Sequence, residues 1–528
     1  MSAPTETADP IEGIRAALAE AERQRLTPFG AESHRWRLHR PCPAAALAQF
    51  EAEHGVRLPP AYRRFLAELA DGGAGPYYGV PPLADAAEIC PFERLAEPCP
   101  LGPGDAIPGA PDGIDPDDYD AIEEACRGTL TVAIQGCTYY TQLVVSGPHA
   151  GRLFNVDVGG DAGDVPVWVD APDFLAWYAR WLERLLCGGD VGWWGYGCTE
   201  GEAELVRGLG GGTVEERVFR LAAVPRLGEV GPALRVAVRR LCGEPDPAVR
   251  GAAFAALVCC AEAEDAPRLE EALGDAAPAV RAGALRGLRR VAPEVARVRV
   301  AGAAADGDPA VRRAALDVAV ALGAGVEVAR SLLADADEDV LRAGLAVLAD
   351  AGALRVDDVR PLIADPRPAV VRNALWRLQS APDAPLPPEL VARLDDPSAE
   401  LRAAALQALR PAWAVALIDR LAGALTAEDD PAVRKQLLQA LARSDDDRAL
   451  FPLIAALRAD DGMDRYDAIT AVQRFGRRTA VPALRAMVGD RTMPRRADDS
   501  GGTVSTAWSV GQYAARVIAE LEGRRRRR

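Results

Sequence analysis

The 528-residue sequence contains no run of about 18 apolar residues, the length that a helix needs to cross a membrane. Its first ten residues, MSAPTETADP, lack the basic start and the apolar run of a secretion signal. Its ten cysteines form no CxxC pair and no spacing typical of a zinc site or a disulfide framework. We therefore expect a cytoplasmic protein without membrane association, with reduced and mostly buried thiols.

Patterns of catalytic or metal-binding residues are also scarce. No HExxH or comparable motif is formed by the four histidines, which are His34, His39, His54 and His149. The glycine loop GGAGPYYG (72–79) lacks the GxxxxGK[ST] order of a phosphate loop and follows a predicted helix rather than a strand. Acidic pairs such as Asp117 and Asp118 can in principle hold a metal or exchange protons. We expect no catalytic residue, no cofactor and no metal, because an enzyme of lyase or hydrolase type needs groups that this sequence does not show.

The charge of the chain is unevenly divided. Residues 1–200 contain 30 acidic and 14 basic residues, a balance of −16, which equals the formal net charge of the whole chain. The acidic insert GDAIPGAPDGIDPDDYDAIEEA (104–125) is best explained as a solvated loop. The alternative is an acidic surface that steers a basic partner, with Asp115, Asp117, Asp118 and Asp120 as candidate contacts.

From residue 210 onward the sequence repeats itself. The segments DPAVRGAAFAAL (246–257), APAVRAGALRGL (277–288) and DPAVRRAALDVA (308–319) align with four later ones. Consecutive units are 29 to 32 residues apart when registered on Phe254, Leu285, Leu316, Leu345, Leu375, Leu406 and Leu438. Each unit predicts a helix, often with a capping Asp and a first-turn Pro, followed by a short turn and a second helix. Stacked helix pairs bury together the apolar faces that single pairs would expose.

This pattern resembles HEAT repeats, in the short, alanine-rich form also seen in phycobilisome lyase-like proteins. The resemblance implies an all-α solenoid over 210–522, with about nine helical units. It does not imply lyase chemistry, because repeat architecture does not transfer activity.

Two sets of arginines recur within the repeats. The first set follows the Val of each first helix, and we expect its members to reach an acid in an adjacent turn: Arg250, Arg281, Arg312, Arg402 and Arg434. The second set lies on the second helices, which we expect to line the concave face. Its members are candidates for partner contacts, although solvated surface is the simpler interpretation: Arg330, Arg360 and Arg393, with Arg420 and Arg458.

Two further segments of the second half have simple explanations. The segment RTMPRRADDSGGTVSTAW (491–508) interrupts the final spacing and is predicted to be a mobile loop. The Arg-rich tail, 523–528, is expected to be solvated, although it can also attract nucleic acid or an acidic surface.

The first half predicts a smaller α+β domain. Helices are expected over 11–25, over 43–55 and from residue 58, where Tyr62, Phe65, Leu66 and Leu69 share one face. Three β-rich runs between residues 128 and 159 predict an antiparallel meander. A closing helix over 171–186 places an apolar face toward the core, formed by Phe174, Leu175, Trp177, Tyr178, Trp181, Leu182 and Leu185.

The order of these elements and their residues resemble the SMI1/KNR4 family, also called the SUKH superfamily, over about 10–187. The segments FEAEHGVRLPPAYRRFLAELADGGAGPYYG (50–79), GCTYYTQLVVSGPHAGRLFNVDVGGDAG (136–163) and FLAWYARWLERLL carry the resemblance. The family motif residues occur here as Glu51, Leu58, Pro59, Tyr62, Phe65, Leu66, Gly72 and Gly73. Asp71 stands where many members have Asn, and a short Asx residue serves the same turn. The resemblance implies a non-enzymatic binding fold; many bacterial members look like immunity proteins that neutralise toxins, often nucleases, and fungal relatives are regulatory scaffolds.

The glycine loop is therefore expected to be a structural turn. Gly72, Gly73 and Gly75 permit a tight chain reversal. Tyr77 and Tyr78 are expected either to pack on the sheet or to contact a partner as exposed tyrosines. Trp193 and Trp194 are expected to anchor the Gly/Trp-rich junction against the first repeats.

We expect four segments in the chain: 1–187, a SMI1/KNR4-like α+β domain; 188–209, the junction; 210–522, the HEAT-like repeats; and 523–528, the tail. Two functions fit a non-enzymatic protein of this kind. The first is an immunity protein that binds and neutralises a toxin, such as a basic nuclease. The alternative is a regulatory scaffold that uses its solenoid for protein contacts and has no toxin partner.

Overall fold

The computed structural model describes residues 9–106, 119–158, 165–378, 385–497, 503–505 and 507–523. The chain divides into two compact units, Met1–Ala296 and Arg297–Arg528. The first unit contains the α+β region and the earliest helix pairs, and the second contains the later helix pairs. None of the described helices combines the length and the apolar composition that spanning a bilayer requires.

The α+β region consists of short helices around one antiparallel sheet. The helices are α1 (Pro10–Arg23), α2 (Ala31–His34), α3 (Ala44–Glu53), α4 (Pro60–Arg64), α5 (Tyr119–Ala125) and α6 (Phe174–Leu186). A π-helical turn, Phe65–Leu69, continues α4, and 3-10 turns lie at Leu83–Asp85 and Phe92–Arg94. The strands are β1 (Thr129–Gly136), β2 (Tyr139–Val144), β3 (Leu153–Asp157) and β4 (Val167–Trp168).

The four strands form an antiparallel meander in the order β1-β2-β3-β4. This confirms the predicted meander, to which the structure adds the two-residue strand β4. The closing helix α6 packs against α1, and the seven apolar residues predicted for its inner face are all buried. The core of this region is strongly aromatic: the rings of Tyr62 and Phe65 each lie 4.9 Å from that of Phe174.

The glycine loop reverses the chain through backbone conformations that favour glycine. Gly72 and Gly73 have φ values of +83° and +107°. A β-carbon on Gly72 would lie 2.6 Å from the carbonyl oxygen of Val80, which is too close for any side chain. Asp71 completes the turn, because its Oδ1 accepts a hydrogen bond from Leu83 N at 2.8 Å. The loop is thus the structural turn that the sequence predicts.

The other motif residues hold the segment before this loop. Glu51 accepts hydrogen bonds from Leu58 N at 3.1 Å and from Arg63 Nε at 3.1 Å, which ties α3 to the start of α4. Pro59 is the cap residue of α4. The apolar members of the motif are all buried: Leu58, Tyr62, Phe65 and Leu66.

Helices then succeed one another to the end of the described chain. In the first unit they are α7 (Glu202–Gly208), α8 (Val214–Leu221), α9 (Pro232–Leu241), α10 (Pro247–Cys260), α11 (Ala266–Ala272) and α12 (Pro278–Val291). The helix α13 (Pro293–Ala303) contains the boundary between the units. The second unit continues with α14 (Pro309–Ala321), α15 (Gly325–Ser331), α16 (Glu338–Asp350), α17 (Val356–Ile363), α18 (Pro368–Leu378), α19 (Pro388–Arg393), α20 (Ala399–Ala408), α21 (Pro411–Ala416), α22 (Ile418–Ala427), α23 (Pro431–Arg443), α24 (Leu450–Ala456), α25 (Gly462–Phe475), α26 (Val481–Arg485) and α27 (Val510–Gly523).

The predicted capping of the first helices is confirmed. Asp430, for example, accepts hydrogen bonds from Ala432 N and Val433 N, and Pro431 occupies the first turn of α23. Within the second unit, first helices pack on first helices, as α16 on α18, α18 on α20 and α23 on α25. A second helix packs on the next second helix where α17 meets α19. The described repeats therefore form stacked rows of helices, as the 30-residue period predicts.

The prediction of a loop over 491–508 is wrong in part. Arg495–Ala497 (β5) and Thr503–Ser505 (β6) pair as antiparallel strands, with Arg496 opposite Val504. The interrupted repeat spacing suggested a loop, but Thr503 and Val504 in the second strand are β-branched and favour extended structure. Strands accordingly occur within a segment expected to be all-α. Residues 498–502, 506 and the tail from 524 lie outside the described part of the chain.

Candidate partner-binding surfaces

An aromatic pocket of about 450 Å³ lies in the first unit, beside the end of the glycine loop. Its walls include Phe29, Tyr78, Tyr139, Trp181 and Trp193. Two ring pairs stand among them: Phe29 and Tyr78, with centroids 5.4 Å apart, and Tyr139 and Trp193, 5.2 Å apart. Phe29 and Trp193 are more than half exposed, at 62% and 56%. Exposed large apolar side chains that converge on one concavity are typical of a binding site.

Three residues of this pocket have left-handed backbone conformations without being glycine. The φ values are +57° at Tyr77, +48° at Cys137 and +53° at Trp193. Such conformations are sparsely populated by residues with a side chain and cluster at functional sites, where the surrounding structure imposes them. The pocket therefore combines exposed aromatic rings with a constrained backbone.

The two candidate tyrosines have different roles in this pocket. The Tyr77 hydroxyl donates a hydrogen bond to the Trp194 carbonyl at 3.1 Å, and burial raises the pKa of Tyr77 so that it stays a donor. Tyr78 is exposed, and its ring lies over Gly136, where a β-carbon would approach it to 3.2 Å. Tyr77 thus contributes to structure, whereas Tyr78 presents its ring to the pocket. A contact of either residue with a partner stays a prediction.

The junction tryptophans are placed differently from the expectation. Trp194 is buried in the α+β core, where its carbonyl also accepts a hydrogen bond from Asn155 Nδ2 at 3.3 Å and the Arg184 guanidinium lies 5.1 Å from its ring. Trp193 lines the aromatic pocket. The prediction that both anchor the junction on the first repeats is wrong, because the α+β region offers the aromatic cavity that Trp194 fills. No periodic signal in the sequence identifies which of two adjacent tryptophans turns inward.

Charged side chains instead connect the junction with α6 and α8. Arg184 is buried and donates to the carbonyls of Cys198 and Glu200, at 3.1 and 3.0 Å. Arg180 pairs with Glu204 at 2.7 Å, and Arg220 pairs with Glu200 at 3.0 Å. This network fixes the junction to its neighbouring helices.

Within this network, ligand atoms of Asp170, Cys198 and Glu200 come within 4.8 Å of one another. Protein donors already account for the arrangement: Asp170 accepts from Thr199 N at 2.9 Å, and Glu200 is paired with Arg220. Burial and the nearby Asp170 raise the pKa of the Cys198 thiol to about 12, which keeps it protonated in this hydrogen-bonded setting. The cluster is better explained as a hydrogen-bonded junction than as a metal centre.

The first-helix arginines form the ladder that the sequence predicts. Arg250 pairs with Asp275 at 2.9 Å, Arg312 with Asp335 at 2.6 Å, Arg402 with Glu428 at 2.7 Å and Arg434 with Asp464 at 2.8 Å. Arg281 donates to the carbonyls of Asp275 and Ala276. Each of these four carboxylate partners lies 23 to 30 residues later in the chain. These arginines therefore join consecutive repeats.

The second-helix arginines form another ladder, which the sequence reasoning missed. Arg330 pairs with Asp358 at 3.0 Å, and Arg360 pairs with Glu389 at 2.9 Å. Arg393 donates to the carbonyl of Ile363 at 2.7 Å and pairs with Asp396 at 2.7 Å. The sequence feature that could have predicted this ladder is an acidic residue in the first turn of the following second helix, at Asp358 and Glu389. The three candidates are engaged within the stack, and their role in binding a partner stays a prediction.

The structure describes none of the side chains of the four acidic candidates. Asp115, Asp117 and Asp118 lie outside the described residues, and Asp120 is described only as part of the backbone of α5.

Three large aromatic side chains are exposed among the described residues of the second unit, and Trp508 is the least exposed of them. Phe451, on the second helix α24, is 81% exposed, and Trp376, on the first helix α18, is 59% exposed. The Trp376 ring is covered in part by the Arg377 guanidinium, whose carbon lies 4.3 Å from the ring centroid. Exposed aromatic rings are frequent anchors of protein interfaces.

Comparison with known families identifies part of the repeats. Residues 418–498 match the family described as HEAT repeats. This match confirms the HEAT resemblance for that segment, which includes α23 to α26. It does not extend to residues 10–187, so their resemblance to the SMI1/KNR4 family stays a prediction. None of the curated proteins matches the chain.

Several solved structures show partial likeness to the chain. The Escherichia coli protein YibA is 16% identical, with a TM-score of 0.30, over 48% of this chain and 92% of its own. An engineered protein is 18% identical, with a TM-score of 0.32, over 60% of this chain and 88% of its own. The karyopherin Kap121p is 14% identical, with a TM-score of 0.41, over 60% of this chain and 41% of its own. Likeness at this level carries no information on what the protein binds.

Proposed function

We propose that this protein is a non-enzymatic, cytoplasmic interaction scaffold whose helical repeats present a surface to a protein partner. The observation that carries the proposal is the HEAT match at 418–498, within an array of helix pairs of the same kind. Stacked helix pairs form extended surfaces that suit protein binding. All ten cysteines are free thiols, which fits a reducing compartment.

The row of second helices is the face that we assign to the partner. Arg330, Arg360 and Arg393 hold one repeat to the next, so they supply rigidity. Phe451 is the apolar side chain that we expect to contact the partner, because it is 81% exposed on a second helix. An aromatic anchor on a rigid support is the usual centre of a protein interface.

A toxin-neutralising role is the second candidate. The observation that favours it is the −16 balance of residues 1–200, which would steer a basic protein, together with the SMI1/KNR4-like motif residues. The family match lends this role no support, because it lies within the repeats.

The salt dependence of binding separates the two functions. The full chain serves as bait to identify a partner, which is then purified, and the dissociation constant is measured between 50 and 500 mM NaCl. An apolar scaffold contact is expected to weaken less than about threefold, because salt screens charges and not apolar burial. If the partner is basic and its affinity falls more than about tenfold over this range, the scaffold proposal is wrong and the toxin-binding function is favoured.

A further inference from the structure

A second compartment of about 460 Å³ shares one lining residue, Tyr78, with the aromatic pocket. The residues that line the second compartment include Ser33, Arg37, His39, Pro81 and Pro82. We call the two compartments together the Tyr78 groove. One half of this groove is aromatic. The other half is mainly apolar but contains Arg37 and His39, and we call it the polar half for those two side chains.

The polar half carries positive charge that the described chain does not neutralise. Arg37 lines this compartment, is exposed and makes no ion pair among the described residues. Arg40, three residues later, is likewise exposed and has no ion-pair partner in the described ranges. Residues 31–40 contain three arginines and one acidic residue, in a region that is otherwise strongly acidic. The nearby Asp71 carboxylate accepts a hydrogen bond from Leu83 N at 2.8 Å, and acids beyond a Debye length of about 8 Å are screened.

The aromatic half is built to hold a bulky side chain in place. Gln135 lines this half and is fixed by hydrogen bonds from its Nε2 to Thr141 Oγ1 at 3.0 Å and to Asn155 Oδ1 at 2.9 Å. Asn155 in turn donates to the Trp194 carbonyl, so the sheet and the junction support one another beneath the pocket. A preorganised aromatic wall lowers the entropy that binding costs.

We propose that the Tyr78 groove binds a peptide segment of a protein partner in which a bulky aromatic residue is followed by acidic residues. The aromatic side chain lies between the ring pairs Phe29–Tyr78 and Tyr139–Trp193, and the acidic residues lie beside Arg37. A segment with basic residues in the second position meets Arg37 with like charge, which costs binding energy. This site lies in the α+β region and is independent of the scaffold surface on the repeats.

The test uses three fluorescein-labelled peptides with the full-length protein in fluorescence anisotropy. Their sequences are GSWDDSG, GSWRRSG and GSADDSG. We expect GSWDDSG to bind at least about tenfold more tightly than either of the other two, a difference of about 1.4 kcal/mol. Equal affinity for GSWDDSG and GSADDSG would refute a contribution of the aromatic side chain. Absence of binding by all three peptides at millimolar protein would refute peptide binding by the groove.

Two substitutions and one control separate the halves of the groove. Trp193→Ala is expected to weaken GSWDDSG at least about fivefold and to leave GSADDSG unchanged, and since Trp193 is mostly exposed, folding is preserved. Arg37→Glu is expected to reverse the preference, so that GSWRRSG binds more tightly than GSWDDSG. Arg57→Glu makes the same charge change at another exposed arginine of this unit and is expected to keep the original order. If Arg37→Glu and Arg57→Glu behave alike, the acidic specificity is refuted. The scaffold proposal would stand in that case, because these peptides do not probe the repeats.

Discussion

Single residues determine the turn from which the aromatic pocket begins. Gly72 has a φ of +83°, and the space where its side chain would lie is occupied by the backbone of Val80 and Pro81. Backbone atoms cannot rotate away as a flexible side chain can. The position therefore requires glycine for two independent reasons, conformation and space.

Gly72→Ala is expected to destabilise the protein by about 1–3 kcal/mol, because it adds strain at a positive φ and a backbone clash. The measurement is the free energy of unfolding in urea. Gly13→Ala is the matched control, since Gly13 lies in α1 with no atom within 4 Å of an added β-carbon. That change is expected to stabilise by about 0.5–1 kcal/mol. Equal effects of the two substitutions would contradict the account of the turn.

The sequence predicted the glycine turn because the pattern that defines it is local. It left two roles open for Tyr77 and Tyr78, and the structure separates them through a partner that lies 117 residues away from Tyr77, the Trp194 carbonyl. The same long-range packing decided that Trp194 is buried and Trp193 exposed. Contacts between distant segments leave no periodic trace in a single sequence.

At the scale of helices, the arginine ladder is the main polar link between repeats. Arg312 donates to both carboxylate oxygens of Asp335, through Nε at 2.7 Å and Nη2 at 2.6 Å, and to the Asp306 carbonyl at 2.9 Å. Its neighbour Arg313 makes an exposed ion pair with Asp317 on the same helix and none with another repeat among the described residues. The two adjacent arginines therefore differ in what they connect.

Arg312→Lys is expected to lower the stability of the second unit by about 1–2 kcal/mol, because an ammonium group cannot reproduce the planar, two-pronged contact. Arg313→Lys is expected to change it by less than about 0.5 kcal/mol, as exposed ion pairs contribute little. Urea unfolding followed by circular dichroism checks both. A loss of the same size in both variants would show that the ladder geometry is not what stabilises the stack.

The ladder also predicts how stability depends on pH. The hydrogen bond from Arg250 holds the pKa of Asp275 below its ordinary value, and the one from Arg402 does the same for Glu428. Because the folded pKa values lie below the unfolded ones, about 3.9 for Asp and 4.3 for Glu, the stabilisation is complete above about pH 5. It is lost as the pH falls through the folded pKa values.

We expect the contribution of these pairs to the urea midpoint to stay level from pH 7 to about pH 5 and to be lost below about pH 4. Burial lowers the pKa of His34, so that residue adds a separate decline as the pH falls below about 6.5. Glu428→Gln is expected to be less stable than the wild type at pH 7 and to lose less on acidification, since one titrating partner is absent. An acid profile below pH 5 that is the same in Glu428→Gln and in the wild type would contradict the role of these pairs.

The helices were largely predictable. The 30-residue period is visible along the sequence, and the capping Asp and the first-turn Pro are adjacent residues. The hairpin β5–β6 was not, since two strands of three residues are too short to show an alternating pattern. The second ladder was missed for a different reason. Arg330 and Asp358 are 28 residues apart, and only the stacking of helices brings them together.

At the scale of the whole molecule, the sequence predicted two kinds of structure, an α+β region followed by helical repeats. The HEAT match at 418–498 supports the second, and the antiparallel sheet with its aromatic helix α6 agrees with the first. The binding partner cannot be predicted from such sequence patterns. A binding surface is defined by side chains that the fold leaves exposed, such as Phe451, and exposure depends on the complete packing.

The most direct test of the scaffold function is the affinity of the purified partner for the full chain and two variants, measured by isothermal titration calorimetry. Phe451→Ser removes the exposed aromatic ring of the second-helix row, and Trp376→Ser, the matched control, removes one from the first-helix row. We predict that Phe451→Ser weakens binding at least about tenfold and that Trp376→Ser leaves it within about twofold. Unchanged binding in both variants would contradict a scaffold that acts through its repeats.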